Sequence, residues 1–138
     1  KKIGDGWNTV LPTKADVDLQ MNTITYTELV INLGSSMVFD YVAHDKVCAF
    51  INYDVTHKKI SDWSVKKIYN YVHFRSMPNH KSVLWIDSPQ AIDGIIENAI
   101  ATNSLVVENA RKWFEIINQH PPQEASKRIW EAIKQIVR

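Results

Sequence analysis

The stretch 28–54, ELVINLGSSMVFDYVAHDKVCAFINYD, decides how the chain folds. Leu29–Leu33 is nearly continuous in apolar residues, and so is Val47–Asn52. Runs of that length and composition are expected for strands covered on both faces. Between them Ser36–His44 carries Val38, Phe39 and Val42 on one helical face. A strand, a helix and a second strand in that order imply a parallel pair joined by a right-handed crossover. The turn into the helix falls on Gly34-Ser35-Ser36.

The pattern extends in both directions. Upstream, Thr9–Leu11 is a short apolar run, and Ala15–Ile24 places Val17, Met21 and Ile24 on one helical face. Downstream, Ser64–Tyr71 has Val65, Ile68, Tyr69 and Val72 at helical spacing; Pro78-Asn79-His80 breaks it, and Ser82–Ile86 reads as a further strand. The last third is helical. Ser88-Pro89 is a cap followed by proline, leading a stripe of Ile92, Ile95, Ile96, Ala99 and Ile100. A helix from Asn103 or Ser104 turns Val106, Ala110, Trp113, Phe114 and Ile117 inward and ends at Pro121-Pro122. A final helix from Gln123 carries Ala125, Ile129, Ile133 and Ile136 on one face, with Trp130 beside it, placed to touch a neighbouring domain. The fold class is therefore α/β, a parallel sheet with flanking helices, in one domain over 1–138.

Composition bounds the function. The 138 residues suffice for one domain with its own core. Sixteen basic against fifteen acidic residues leave no long-range field to draw in nucleic acid or anionic lipid, so no nucleic-acid partner is expected. The single cysteine, Cys48, lies in an apolar run, as a buried, inert thiol in a reducing compartment would. No apolar stretch reaches the roughly 18 residues of a membrane span. The chain starts at Lys1 without methionine, which suggests a piece of something longer.

The chemistry-bearing residues gather at strand ends. In a parallel sheet ligands settle beyond the carboxyl ends of strands, where Gly34, Ser35 and Ser36 stand. Glycine admits close backbone approach, and the first amides of a helix face outward without partners, so the loop can cradle a phosphate. Equally, Ser35 or Ser36 can simply cap the helix. Asp40, one turn after Ser36, would accept from a ribose or sugar hydroxyl, or it is a first-turn acid favoured by the dipole. Asn52 and Asp54 alternate at the end of the second strand and share a face. His73, in YNYVHF, is either a donor to phosphate or a packed aromatic neighbour. The five histidines and Cys48 show no metal-ligand spacing, and neither a Walker loop nor a G-x-S-x-G elbow is present.

The order of these features resembles the nucleotide-binding half of GT-B glycosyltransferases and of the related polyglycerol-phosphate transferases of bacterial surface-polysaccharide synthesis. The features are Asn22-Thr23, the Leu29–Leu33 run, Ser35-Ser36 with Asp40, Asp45-Lys46, and Asn52-Tyr53-Asp54. YNYVHF, DSPQAIDGIIENAI and ENARKWFE…EASKRIWEAIKQIV are similar to later segments, so the likeness covers 13–138. Val47 stands where the family usually has proline, and Gly34 precedes the serines where a small or acidic residue is more frequent. The resemblance implies a truncated C-terminal half of a GT-B architecture, Rossmann-like, holding a nucleotide-diphosphate sugar without metal or other cofactor. It implies donor phosphates on Gly34, Ser35 and Ser36, with His73 as a further phosphate contact, and a ribose or sugar on Asp40, Asn52 and Asp54. The N-terminal domain, with acceptor site and catalytic base, would be missing, so the fragment alone should not turn over. Any membrane association is expected through that missing part, at the inner face of a cytoplasmic location. A cytidine-diphosphate-dependent glycerol- or ribitol-phosphate transferase fits equally, and a non-catalytic interaction module is the reading from another class.

Overall fold

The computed structural model describes residues 11–57, 59–101, 104–118 and 122–137. The fold is mixed α/β, a small parallel sheet with flanking helices. The elements are α1 (Lys14–Tyr26), β1 (Leu29–Asn32), α2 (Met37–Val42), β2 (Val47–Ile51), α3 (Val65–Tyr69), α4 (Val72–Arg75), β3 (Leu84–Ile86), α5 (Ile92–Ala101), α6 (Ser104–Asn118) and α7 (Ala125–Ile136). The strands lie in the order β1-β2-β3, and both pairings are parallel, as the apolar runs predict. All three strand ends therefore open on one edge.

The register aligns Val30 with Cys48, Asn32 with Phe50, and Phe50 with Trp85, so these side chains share one face. Four successive residues of β2, Val47 to Phe50, are buried, which requires cover on both faces of the central strand. On the Phe50 face the cover is aromatic. Phe50 stacks on Tyr69 at 5.6 Å and meets Phe74 edge-on at 5.8 Å. Trp113 of α6, fully buried, closes the cluster against Phe39 at 4.9 Å, and its indole N–H donates to Ser76 Oγ at 2.9 Å.

Helix α1 starts on a reciprocal cap: Thr13 Oγ1 accepts from the Asp16 amide while Asp16 accepts from the Thr13 amide. It is fastened by its other end. Lys46 Nζ donates to the carbonyls of Ile24 and Thr25, at 2.6 and 2.7 Å, satisfying two acceptors that a helix terminus leaves open. The Thr27 and Tyr41 hydroxyls meet at 2.6 Å. Asp45 takes the left-handed conformation and pairs with Arg111 of α6. Asp45-Lys46 is thus a structural joint between α1, α2 and α6.

Several expectations need correction. The run Thr9–Leu11 lies outside the described residues except for Leu11, which is exposed and not in a strand. Asn103 and Pro121 also fall outside them. Of the expected inner face of α1 only Ile24 is buried; Val17 and Met21 are exposed. The helix expected over Ser64–Tyr71 stops at Tyr69, and Tyr71 is extended and opens α4. That break resets the helical phase, so Val72 is exposed and Phe74 turns inward instead. Ile100 and Ile117 are exposed, and Val107 takes an inward place that the stripe did not include. In α7 no residue is buried at all.

Trp113 is the most demanding core position. Trp113→Ala should lower stability by about 3–5 kcal/mol. Trp113→Phe should cost less, because it keeps most of the volume and loses the bond to Ser76. Urea unfolding of both variants checks the ranking; equal losses would mean that the indole's volume is not what matters.

Candidate functional site

The carboxyl edge of the sheet is formed by the segments following Asn32, Ile51 and Ile86. After β1 the chain turns through Gly34, whose φ is +59°. A side chain there would be strained, and an added Cβ would come within 2.6 Å of Ile68 Cγ2 and 3.2 Å of Phe74 Cζ. Gly34 is therefore required by the approach of α3 and α4 to the loop, with no ligand needed to explain it. Asn32 shapes the same turn. Its Oδ1 accepts from the Ser35 amide at 3.0 Å and its Nδ2 lies 3.2 Å from Cys48 Sγ. Sequence reasoning passed over Asn32; an amide closing an apolar strand was the available signal.

The two serines separate. Ser35 Oγ accepts from the Met37 amide at 3.2 Å, so Ser35 does the capping. Ser36 holds the N-cap position, yet its side chain makes no capping bond, and the residue is exposed. Asp40 lies in the first turn of α2 and accepts from Gln20 Nε2 of α1 at 3.3 Å. Partial burial raises its pKa, against the lowering by the Gln20 hydrogen bond and by nearby His44.

The second strand's end is internally bonded. Asn52 Nδ2 donates to Asp87 Oδ1 at 2.6 Å, joining the ends of β2 and β3, and its amide donates to the Ile86 carbonyl at 2.8 Å. Asp54 Oδ1 accepts from the Val65 amide at 2.7 Å and so caps the start of α3. Tyr69, missed as a site residue, donates its hydroxyl to the Ile51 carbonyl; burial, and secondarily Cys48, push its pKa well above the ordinary range. His73 is exposed on α4, 4.1 Å from the Phe74 ring and 6.2 Å from Tyr71. Because Phe74 also touches Gly34, His73 is joined to the serine loop through one ring. With Met77, His80 and Trp85, Phe74 and Tyr69 line a cavity of about 250 Å³. Among the described residues no group of three or more His, Cys, Asp or Glu side chains could hold a metal ion.

The arrangement offers donors at Ser36 and an acceptor at Asp40, while the contacts of His73 are with the rings of Phe74 and Tyr71. Asn52 and Asp54 are committed to neighbours, so a ligand reaching them would have to share or replace those bonds.

Two glycines give opposite expectations. Gly34→Ala should destabilise the chain by about 1–3 kcal/mol through overpacking, with left-handed strain in addition. Gly94→Ala, in α5 with nothing near its added methyl, should stabilise by about 0.5–1 kcal/mol. Urea midpoints of the pair test both, and a neutral Gly34→Ala would remove the packing account of the loop.

Cys48 gives a second test. Burial pushes its thiol up to about 12, with the Asn32 amide pulling the other way. The folded state then holds a proton that the unfolded state releases above about pH 8.5. That contribution to stability is present below the unfolded pKa and is lost as pH rises towards 12. A thiol reagent near neutral pH should leave Cys48 unmodified until urea unfolds the chain. Modification of the folded chain at the rate of a free thiol would contradict this.

No protein-family model matches the chain, and neither a curated protein nor a solved structure does.

Proposed function

We propose that this chain is the donor-binding domain of a GT-B-type glycosyltransferase, Rossmann-like in architecture, that binds a nucleotide-diphosphate sugar at the carboxyl edge of its sheet. The observation that supports it is Ser36: an exposed residue at the N-cap of the helix after β1, whose hydroxyl is not spent on the cap. Loops at the carboxyl ends of parallel strands are where such sheets take ligands. Helix α2 has only six residues, so its dipole is small and the case rests on hydrogen-bond donors.

In this reading the Ser36 hydroxyl and amide hold the donor phosphates. Ser35 and Gly34 shape the loop, and Asp40 accepts from a ribose or sugar hydroxyl. His73, exposed next to the Phe74 that packs under the loop, would be a further phosphate contact. Transfer forms a bond from the acceptor's hydroxyl oxygen to the sugar's anomeric carbon and breaks that carbon's bond to the phosphate oxygen. The departing nucleoside diphosphate takes the electron pair, and donors already in position stabilise that charge. The acceptor hydroxyl's proton goes to a base outside this chain, and this chain alone would not turn over.

A cytidine-diphosphate donor of glycerol or ribitol phosphate fits the same loop and is separated from sugar donors by the base. The non-catalytic reading is favoured by one observation: Ser35, Asn52 and Asp54 are already bonded within the fold.

Calorimetric titration with UDP, GDP and CDP tests the proposal. One of them should bind saturably, and Ser36→Ala should weaken it about tenfold, or about 1.4 kcal/mol. Absence of binding to this chain and to its full-length parent would overturn the donor reading in favour of an interaction module.

A further inference from the structure

One cavity is walled almost entirely by rings. Tyr69, Phe74, Met77, His80 and Trp85 line about 250 Å³ beside Phe50 of the central strand. The walls stand at right angles: Trp85 and Phe74 are inclined to Tyr69 by 81° and 79°, with ring centres 4.9 and 6.0 Å from it. Among the described residues no ring contact joins Phe74 to Trp85, so a gap remains where interiors are otherwise close-packed. At the exposed mouth His80 lies flat on Trp85, 4.6 Å away and within 8° of parallel. The polar atoms of the walls are spent on the backbone. Tyr69 donates its hydroxyl to the Ile51 carbonyl, and the Trp85 indole N–H donates to the His80 carbonyl at 2.8 Å. The imidazole of His80 is the exception, for among the described residues no hydrogen bond engages it.

We infer that this cavity binds a planar heteroaromatic ring of nucleobase size, with a ring nitrogen or carbonyl of the ligand at the His80 imidazole. Rings set at right angles accept a flat ligand both stacked and edge-on, and the flexible Met77 thioether adapts to its outline. Mostly apolar, aromatic walls with a single placed polar group are the composition of a small-molecule site. The volume decides how much of a ligand enters. Drug-sized pockets hold about 300–1,000 Å³, so 250 Å³ suits one ring system and not a whole nucleotide. Phe74 stands between the cavity and the serine loop, since its Cζ and Cε2 are the atoms that face Gly34. The inference therefore does not rest on the donor reading. The ring is either the base of a nucleotide or a free heteroaromatic compound, and the chemistry of recognition is the same for both.

NMR titration of the whole chain with adenosine, guanosine, cytidine and uridine, each to about 10 mM, tests this. At least one nucleoside should saturably shift the Trp85 indole and His80 imidazole signals. His80→Ala, at an exposed residue, and Trp85→Ala should each weaken that binding about tenfold. Unchanged circular dichroism shows that a variant folds, and His80→Ala carries the test where Trp85→Ala does not fold. The matching nucleoside diphosphate identifies the source. Binding tighter than the nucleoside's, with the gain lost in Ser36→Ala, assigns the ring to a nucleotide donor; equal binding assigns it to a free compound. Absence of saturable shifts with all four nucleosides, or shifts that His80→Ala leaves intact, would overturn the inference. A diphosphate whose binding Ser36→Ala weakens and His80→Ala does not would overturn it as well, while leaving the donor reading in place.

Discussion

The ring of Phe74 is where the sheet, α3, α6 and the loop after β1 come together. It packs edge-on against Phe50 of the central strand and against Tyr69 of α3, and lies 6.3 Å from Trp113 of α6. It also fills the space where Gly34 would otherwise carry a side chain. One buried aromatic thus connects the sheet, the connection before β3, the C-terminal helical region and the loop after β1. The geometry of that loop follows from the core. A ligand there would meet a turn already fixed by Phe74, Ile68 and Asn32, so little ordering would be needed on binding.

Much of the fold was legible because burial on two faces leaves a continuous signal. Leu29–Leu33 and Val47–Asn52 announced β1 and β2, and Pro89 announced the turn into α5, although Ser88 before it makes no side-chain capping bond. What failed depended on phase or on partners. A period of 3.6 carries across a segment only while the helix is continuous, and the extended backbone at Tyr71 ends that continuity. Val72 and Phe74 then exchange the roles that spacing had given them. In α1 the apolar residues do not fall on one face with any strength, so only Ile24, beside the carbonyl that Lys46 clasps, reaches the interior.

The candidate site divides along the same line. That polar residues would stand at the strand ends was readable, because sheet topology puts those ends on one edge. Which of them would be engaged was not readable. Asn52 meets Asp87 across 35 positions and Asp54 meets Val65 across 11, and nothing local in the sequence encodes either contact. Asp45-Lys46 makes the same point from the other side. The pair resembles part of a functional motif, while its contacts here are the end of α1 and the middle of α6.

Helix α7 sets a separate physical problem. The main buried cluster is complete without any α7 side chain. Tertiary packing of an amphipathic face is what normally holds a helix of this length, and isolated helices shorter than about 12–15 residues are marginal in water. The exposed Lys127–Glu124 pair contributes at most about 1 kcal/mol, and Arg128 ties the helix to the Asn118 carbonyl. Ile129, Ile133 and Ile136 therefore add nothing to that cluster, and burying them would stabilise the helix further.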